Sequence, residues 1–189
     1  MLSRTVDLRE GWVPVGTESF GVNIGLIPTH NAAIEITFNA LRRVHSKISC
    51  IVDGDPAGLG YANIIHAMAV PGTKILCWPP NWTIEDVLVW LMRADEVAAV
   101  TMLSSKLSHF PATMGAFLAL LKSADRATGG IKGDMVAYEA IMEVVYEIQS
   151  INRRAQNLLA GLRAAVDGVQ NPLFIPEVAP RENILIFQP

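Results

Sequence analysis

The stretch from Ile48 to Tyr61, Ile-Ser-Cys-Ile-Val-Asp-Gly-Asp-Pro-Ala-Gly-Leu-Gly-Tyr, holds the densest set of residues able to do chemistry. A short apolar, β-branched run ends in Asp53 and Asp55, with glycines at 54, 58 and 60. In open parallel sheets the carboxyl ends of strands are where ligands bind. Two carboxylates in one loop repel each other, and a hard divalent cation relieves that repulsion. Oxygen donors favour Mg²⁺ or Mn²⁺ over zinc. Glycine lets the backbone approach a metal-bound phosphate closely. Calcium is excluded: an EF-hand loop starting at Asp53 would have its glycine at Gly58, but Ala57 and Ile64 stand where oxygen ligands belong. A dinucleotide fingerprint is excluded because the third glycine is missing and the acids would repel pyrophosphate. A solvated Asp-Gly-Asp turn remains the plain alternative.

Other polar groups have ordinary explanations from the residues alone. Glu85 falls in the first turn of a helix opened by Thr83, where any acid is favoured by the helix dipole, and Thr83 with Asp86 has the spacing of a capping box. Lys132 lies in the glycine-rich loop 128–133 and reads as a solvated lysine. His30, His45, His66 and His109 have no ligand spacing, which argues against zinc. Ser104, Ser105 and Ser108 neighbour His109 without a G-x-S-x-G elbow. Cys50 and Cys77 sit in apolar runs as small buried hydrophobes.

These residues need a scaffold, and the apolar spacing outlines one. Residues 1–30 are broken by glycine and proline, with room for one or two short strands. Ile34, Phe38, Leu41 and Val44 recur at helical spacing over 31–45. The pattern then predicts a strand over 48–52, a turn at 54–60, a helix over 61–69, a strand over 74–78 and a helix over 83–93. Alternation of this kind is the grammar of a parallel sheet with helices on both faces. Beyond residue 95 the pattern is helical over 96–105, 112–124 and 134–167, the last long enough to be broken. The apolar run 184–187 is expected to add an edge strand or dock on a neighbour. The expected organisation is an α/β core over 1–108 and a helical subdomain over 109–189.

A length of 189 residues suits one domain or one with an appendage. With 51% apolar and 17% charged residues the chain cannot be a disordered tail, and its mean hydropathy of +0.32 suggests that apolar surface meets a partner chain, a further segment or a second copy. A net charge of −3 argues against a general electrostatic grip on nucleic acid. No apolar stretch is long enough to span a membrane and no signal peptide is evident, so a cytoplasmic location is expected.

Three runs, IVDGDPAGLGYA, WPPNWTIEDVLVW and GGIKGDMVAYEA, occur in this order. Together they resemble the C-terminal part of the OLD (overcoming lysogenization defect) family of ATP-dependent endonucleases, which carries a Toprim domain. The resemblance covers about Leu41 to Ala165. It implies a Rossmann-like Toprim core and Mg²⁺- or Mn²⁺-dependent hydrolysis of DNA. By that resemblance Asp53 and Asp55 are the metal-binding pair, Glu85 is a further acidic position of the metal site, and Lys132 is the lysine beside the scissile phosphate. Such roles are chemically coherent, because carboxylates hold the cations of phosphodiester hydrolysis and a lysine offsets charge growing on the transferring phosphate.

The family also uses a glutamate in an apolar-Glu-Gly setting after an earlier strand. Here the only Glu-Gly is Glu10-Gly11, in a short charged context, so the chain is expected to begin after that glutamate, with Glu10, and still more remotely Glu18, as the substitutes within it. No G-x-x-x-x-G-K-[ST] loop is present, hence no ATP site of that kind in this chain. The resemblance therefore implies a nuclease module that is incomplete alone, partnered by an ATPase-bearing segment or chain. Two alternatives stay open. One is a folded interaction module without catalysis. The other is a phosphatase similar to the haloacid dehalogenases, with Asp53 as nucleophile and Asp55 as acid/base, against which Ala57 stands where threonine or valine is expected.

Overall fold

A computed structural model describes residues 33–189, together with residues 2, 27 and 29. The described chain divides into two compact units: one is Glu85–Leu159, and the other joins residues 33–84 to Ala160–Pro189.

The second unit carries a mixed, four-stranded open sheet. Helix α1 (Ala33–Leu41) is followed by β1 (Cys50–Val52), α2 (Pro56–Ala67) and β2 (Ile75–Cys77); β3 (Phe174–Pro176) and β4 (Ile184–Phe187) come from the far end of the chain. The strand order is β1-β2-β4-β3. β1 and β4 both run parallel to β2, with Val52 opposite Cys77 and Ile75 opposite Ile184, and β3 is antiparallel to β4. Successive side chains point to opposite faces and both faces of β2 and β4 are covered, so these central strands are apolar at every position. Ile75, Cys77 and Ile184 face one way, into a core with Phe38, Val52, Ala62 and Ile65. On β4 the intervening Phe187 joins Trp78 and Phe174 in an aromatic group, with ring centroids 5.4–6.2 Å apart.

Three expectations are corrected. The sheet is mixed, because the antiparallel strand β3 closes one edge. The run 184–187 is an interior strand instead of an edge strand, since both its neighbours are paired. Helix α2 begins at Pro56, five residues before the expected start at Tyr61, so Gly58 and Gly60 are helical. Proline at the first helical position gives up an amide that has no partner there, and Asp55 caps the first turn, its Oδ1 accepting the Gly58 N–H at 2.7 Å.

The first unit is helical. After residue 84, helix α3 (Ile84–Met92) continues into it, followed by α4 (Glu96–Lys106), α5 (Met114–Lys122), α6 (Met135–Glu147) and the first part of α7 (Gln149–Asp167). Asp95, Thr113 and Asp134 cap α4, α5 and α6. Leu91, Leu103, Phe117, Leu121, Ile141 and Val145 are fully buried. The helical pattern over 134–167 breaks at Ile148, whose backbone is extended. Buried Asn152 bridges that break: its Nδ2 donates to the Val145 carbonyl at 3.1 Å, and its Oδ1 accepts from Gln156. Among the described residues no helix is long and apolar enough to cross a membrane.

Cys50 and Cys77 lie on adjacent strands of the sheet. Burial, and then the neighbouring Cys77 thiol, push Cys50 up to about 12; burial, and then Glu177, push Cys77 up to about 11. Thiols released on unfolding ionise near 9, so the stability they contribute is complete below that pH and is lost as pH rises towards 11 and 12. The melting temperature should fall from pH 8.5 to pH 11, and the fall should be shallower in Cys50→Ala/Cys77→Ala. An equal slope in both proteins would contradict this assignment.

Candidate functional site

Asp53 is the first residue beyond β1, and Asp55 ends the β1–α2 turn; both are half-buried. Gly54 between them is buried and sets the turn. Its N–H donates to the Trp82 carbonyl and its own carbonyl accepts from the Asn81 N–H, each at 2.8 Å. The partner loop is itself tightly folded, with Asn81 in the left-handed region at φ +65 and the Trp82 N–H on the Pro79 carbonyl at 2.9 Å. The two loops that leave the carboxyl ends of β1 and β2 are thus joined main chain to main chain. A Cβ on Gly54 would lie 1.8 Å from the Pro79 oxygen, and one on Gly58 would lie 2.1 Å from the Asp53 oxygen. Both glycines are required by close backbone approach. The rest of the Trp82 side chain leans on the aromatic group, edge-on to Phe187 at 6.4 Å.

The donor chemistry of this turn fits a hard cation. Mg²⁺ is commonly held by one or two carboxylates and keeps several waters. Two carboxylates on one clamped turn are such a donor set, and the Gly58 amide engages only one oxygen of Asp55. Among the described residues no group of three or more His, Cys, Asp or Glu side chains is gathered to hold a metal ion.

Glu85 and Lys132 belong to the helical unit. Glu85, in the first turn of α3, is only 4% exposed. A buried carboxylate needs hydrogen bonds to offset its lost hydration, and the Tyr138 hydroxyl donates one to Glu85 Oε1 at 3.3 Å. Beside it, Asp86 pairs with Lys122 at 2.6 Å. Burial, and then the Glu85 charge, push the Tyr138 phenol above its ordinary value; the nearby Gly133 backbone pulls the other way.

Lys132 is exposed on a loop whose main chain is bonded at Gly130, Ile131, Lys132 and Asp134. Its N–H donates to the Ser123 carbonyl at 3.0 Å. Arg126 reaches across the loop to the Gly130 carbonyl (2.8 Å), the Lys132 carbonyl (3.3 Å) and the Asp134 carboxylate (3.4 Å). A Cβ on Gly130 would lie 2.4 Å from the Ser123 oxygen, so this glycine too is fixed by packing.

Asp53 and Asp55 are therefore brought onto one turn. Glu85 is met by Tyr138, which stands on the helix that follows the loop bearing Lys132. That tyrosine lies within the GGIKGDMVAYEA run, but nothing in its type or spacing marks it until the phenol is seen on a buried carboxylate. Glu10 and Glu18 lie outside the described residues. No protein-family model, curated protein or solved structure matches the chain.

Proposed function

We propose that this chain is a divalent-metal-dependent phosphodiesterase module acting on DNA, of the kind found in OLD-family ATP-dependent endonucleases, with an ATPase-bearing segment or chain as its partner. The observation that supports this most is the Asp53-Gly54-Asp55 turn at the carboxyl end of a parallel strand, clamped to the loop that follows β2. In this reading Asp53 and Asp55 hold Mg²⁺ or Mn²⁺, while the parts of Glu85 as a further acidic group and of Lys132 at the phosphate rest on the family resemblance alone. A bound cation would supply charge stabilisation and lower the pKa of coordinated water. What the chain itself contributes is preorganisation. The turn that carries the carboxylates is held by backbone bonds and Asp55 by the Gly58 N–H, so little rearrangement of the turn is required when a ligand arrives.

Titration calorimetry of the chain with Mg²⁺ and Mn²⁺, together with nicking of supercoiled plasmid once the ATPase-bearing partner is supplied, tests the reading. Saturable binding is expected, and at ten times Kd the metal should stabilise the fold by about 1.4 kcal/mol. For a chain of this length that corresponds to a melting temperature raised by roughly 3–6 °C. Absence of a saturable site would overturn the reading in favour of an interaction module. Turnover of p-nitrophenyl phosphate without plasmid nicking would overturn it in favour of a phosphatase.

A further inference from the structure

We propose that the outward face of α1 is the contact through which two copies of this chain associate, antiparallel and about a twofold axis near Ala40.

Helix α1 is apolar on two sides. Phe38 is buried and Ile34 partly buried against the core of the sheet. The opposite side of such a surface helix ordinarily carries polar and charged groups. Here Ile36 stands on it at 74% exposure, and Ala40, four residues on, is exposed as well. Val44, 75% exposed, continues the row in the turn that closes the helix. That turn keeps close to helical spacing: the Arg42 N–H donates to the Phe38 carbonyl at 3.0 Å and the His45 N–H to the Leu41 carbonyl at 2.9 Å. Residues four apart are neighbours on a helix surface, so the three side chains make one stripe with its smallest member in the middle. The approach of two helices is set by the side chains at their crossing, and alanine there permits a close one.

Charge indicates what covers the stripe. Glu35 lies beside its amino end, and Arg42 and Arg43 lie at its carboxyl end, all exposed. Among the described residues no ion pair engages these three. A face that runs acid, apolar, small, apolar, base is complementary to itself when turned end for end. Crossing two such helices at Ala40 sets Ile36 of each copy beside Val44 of the other, and Glu35 beside the arginines of the other. An unrelated partner would have to present that same order, whereas a second copy already does. The contact is isologous, the same patch serving both molecules. With nine residues the helix is about 14 Å long, and its face is smaller than the ~800 Å² per partner of a standard interface. The dimer is therefore expected to be reversible and to dissociate on dilution.

Sedimentation velocity of the full chain, from low micromolar to near-millimolar concentration, tests the proposal. Wild type should pass from monomer to dimer. Ile36→Asp puts a charge into the apolar contact and should weaken association by at least about tenfold. Its monomer should melt as wild type does, because the side chain is exposed in a single copy. Glu35→Arg and Arg43→Glu should each weaken the dimer by on the order of tenfold, and the two together should restore it, since the pairs re-form with their signs exchanged. These residues are eight positions apart on one helix, about 12 Å, so the rescue reports a contact between copies. A chain that stays monomeric over the whole range overturns the proposal, as does a dimer indifferent to Ile36→Asp or without the charge-exchange rescue. A monomer whose melting temperature falls in Ile36→Asp overturns it in favour of cover from within the same chain.

Discussion

Gly54→Ala should lower the melting temperature by roughly 6–12 °C and erase saturable Mg²⁺ binding. The new methyl carbon would stand 1.8 Å from the Pro79 oxygen and 2.6 Å from the Trp78 oxygen. These are main-chain atoms at the end of a buried strand, so they cannot swing aside as a flexible side chain would. Parting the two loops sacrifices the reciprocal Gly54–Trp82 and Asn81–Gly54 hydrogen bonds. Overpacking costs about 1–3 kcal/mol and each lost bond about 1 kcal/mol, which together give about 3 kcal/mol or more. Gly60→Ala is the control in the same helix-turn region. A Cβ there meets nothing within 4 Å, so alanine should stabilise α2 by about 0.4–1 kcal/mol. Thermal melts of the two variants should move in opposite directions, and a Gly54→Ala protein as stable as Gly60→Ala would refute the clamp.

The second large effect separates charge from capping. Asp55 holds the first turn of α2 through the Gly58 amide, and asparagine caps a helix about as well as aspartate. Asp55→Asn should therefore melt near the wild-type temperature without metal, and Asp53→Asn/Asp55→Asn should show no saturable heat with Mg²⁺ or Mn²⁺. The loss of nicking should be at least the ~10–100-fold that removal of an outer-shell partner costs a metal site. Asp55→Ala should lose the cap as well, at about 1 kcal/mol, and melt roughly 2–4 °C lower. Full metal binding by the double asparagine variant would remove the basis of the phosphodiesterase reading.

Local signals account for what could be read in advance. The β-branched run before Asp53, the apolar run before Trp78 and the helical spacings after residue 83 each depend on near neighbours, and each element formed. The start of α2 could not be read that way. Gly58 and Gly60 look like turn residues, whereas both lie in a helix opened by Pro56 and capped by Asp55, and Gly58 is a glycine because a Cβ there would lie 2.1 Å from the Asp53 carbonyl oxygen. The place of 184–187 was equally hidden, since its pairing with β2 depends on residues at the other end of the described chain. Of the candidate site, the carboxylate pair and its glycines were legible from type and spacing. The clamp from Trp82 and the phenol on Glu85 were not, because a backbone carbonyl and a tyrosine carry no mark of the partner they will find.

The parallel pairing of β2 with β4 has a consequence for biosynthesis. Ile75 and its partner Ile184 are separated by the entire helical unit, so a nascent chain leaving the ribosome can complete its helices long before the strand that finishes its sheet exists. Until then the apolar edge of β2 has no native neighbour. Such delayed, non-local closure is slow and exposes the intermediate to aggregation. Translation interrupted before residue 184 should therefore yield a product that engages chaperones through β2.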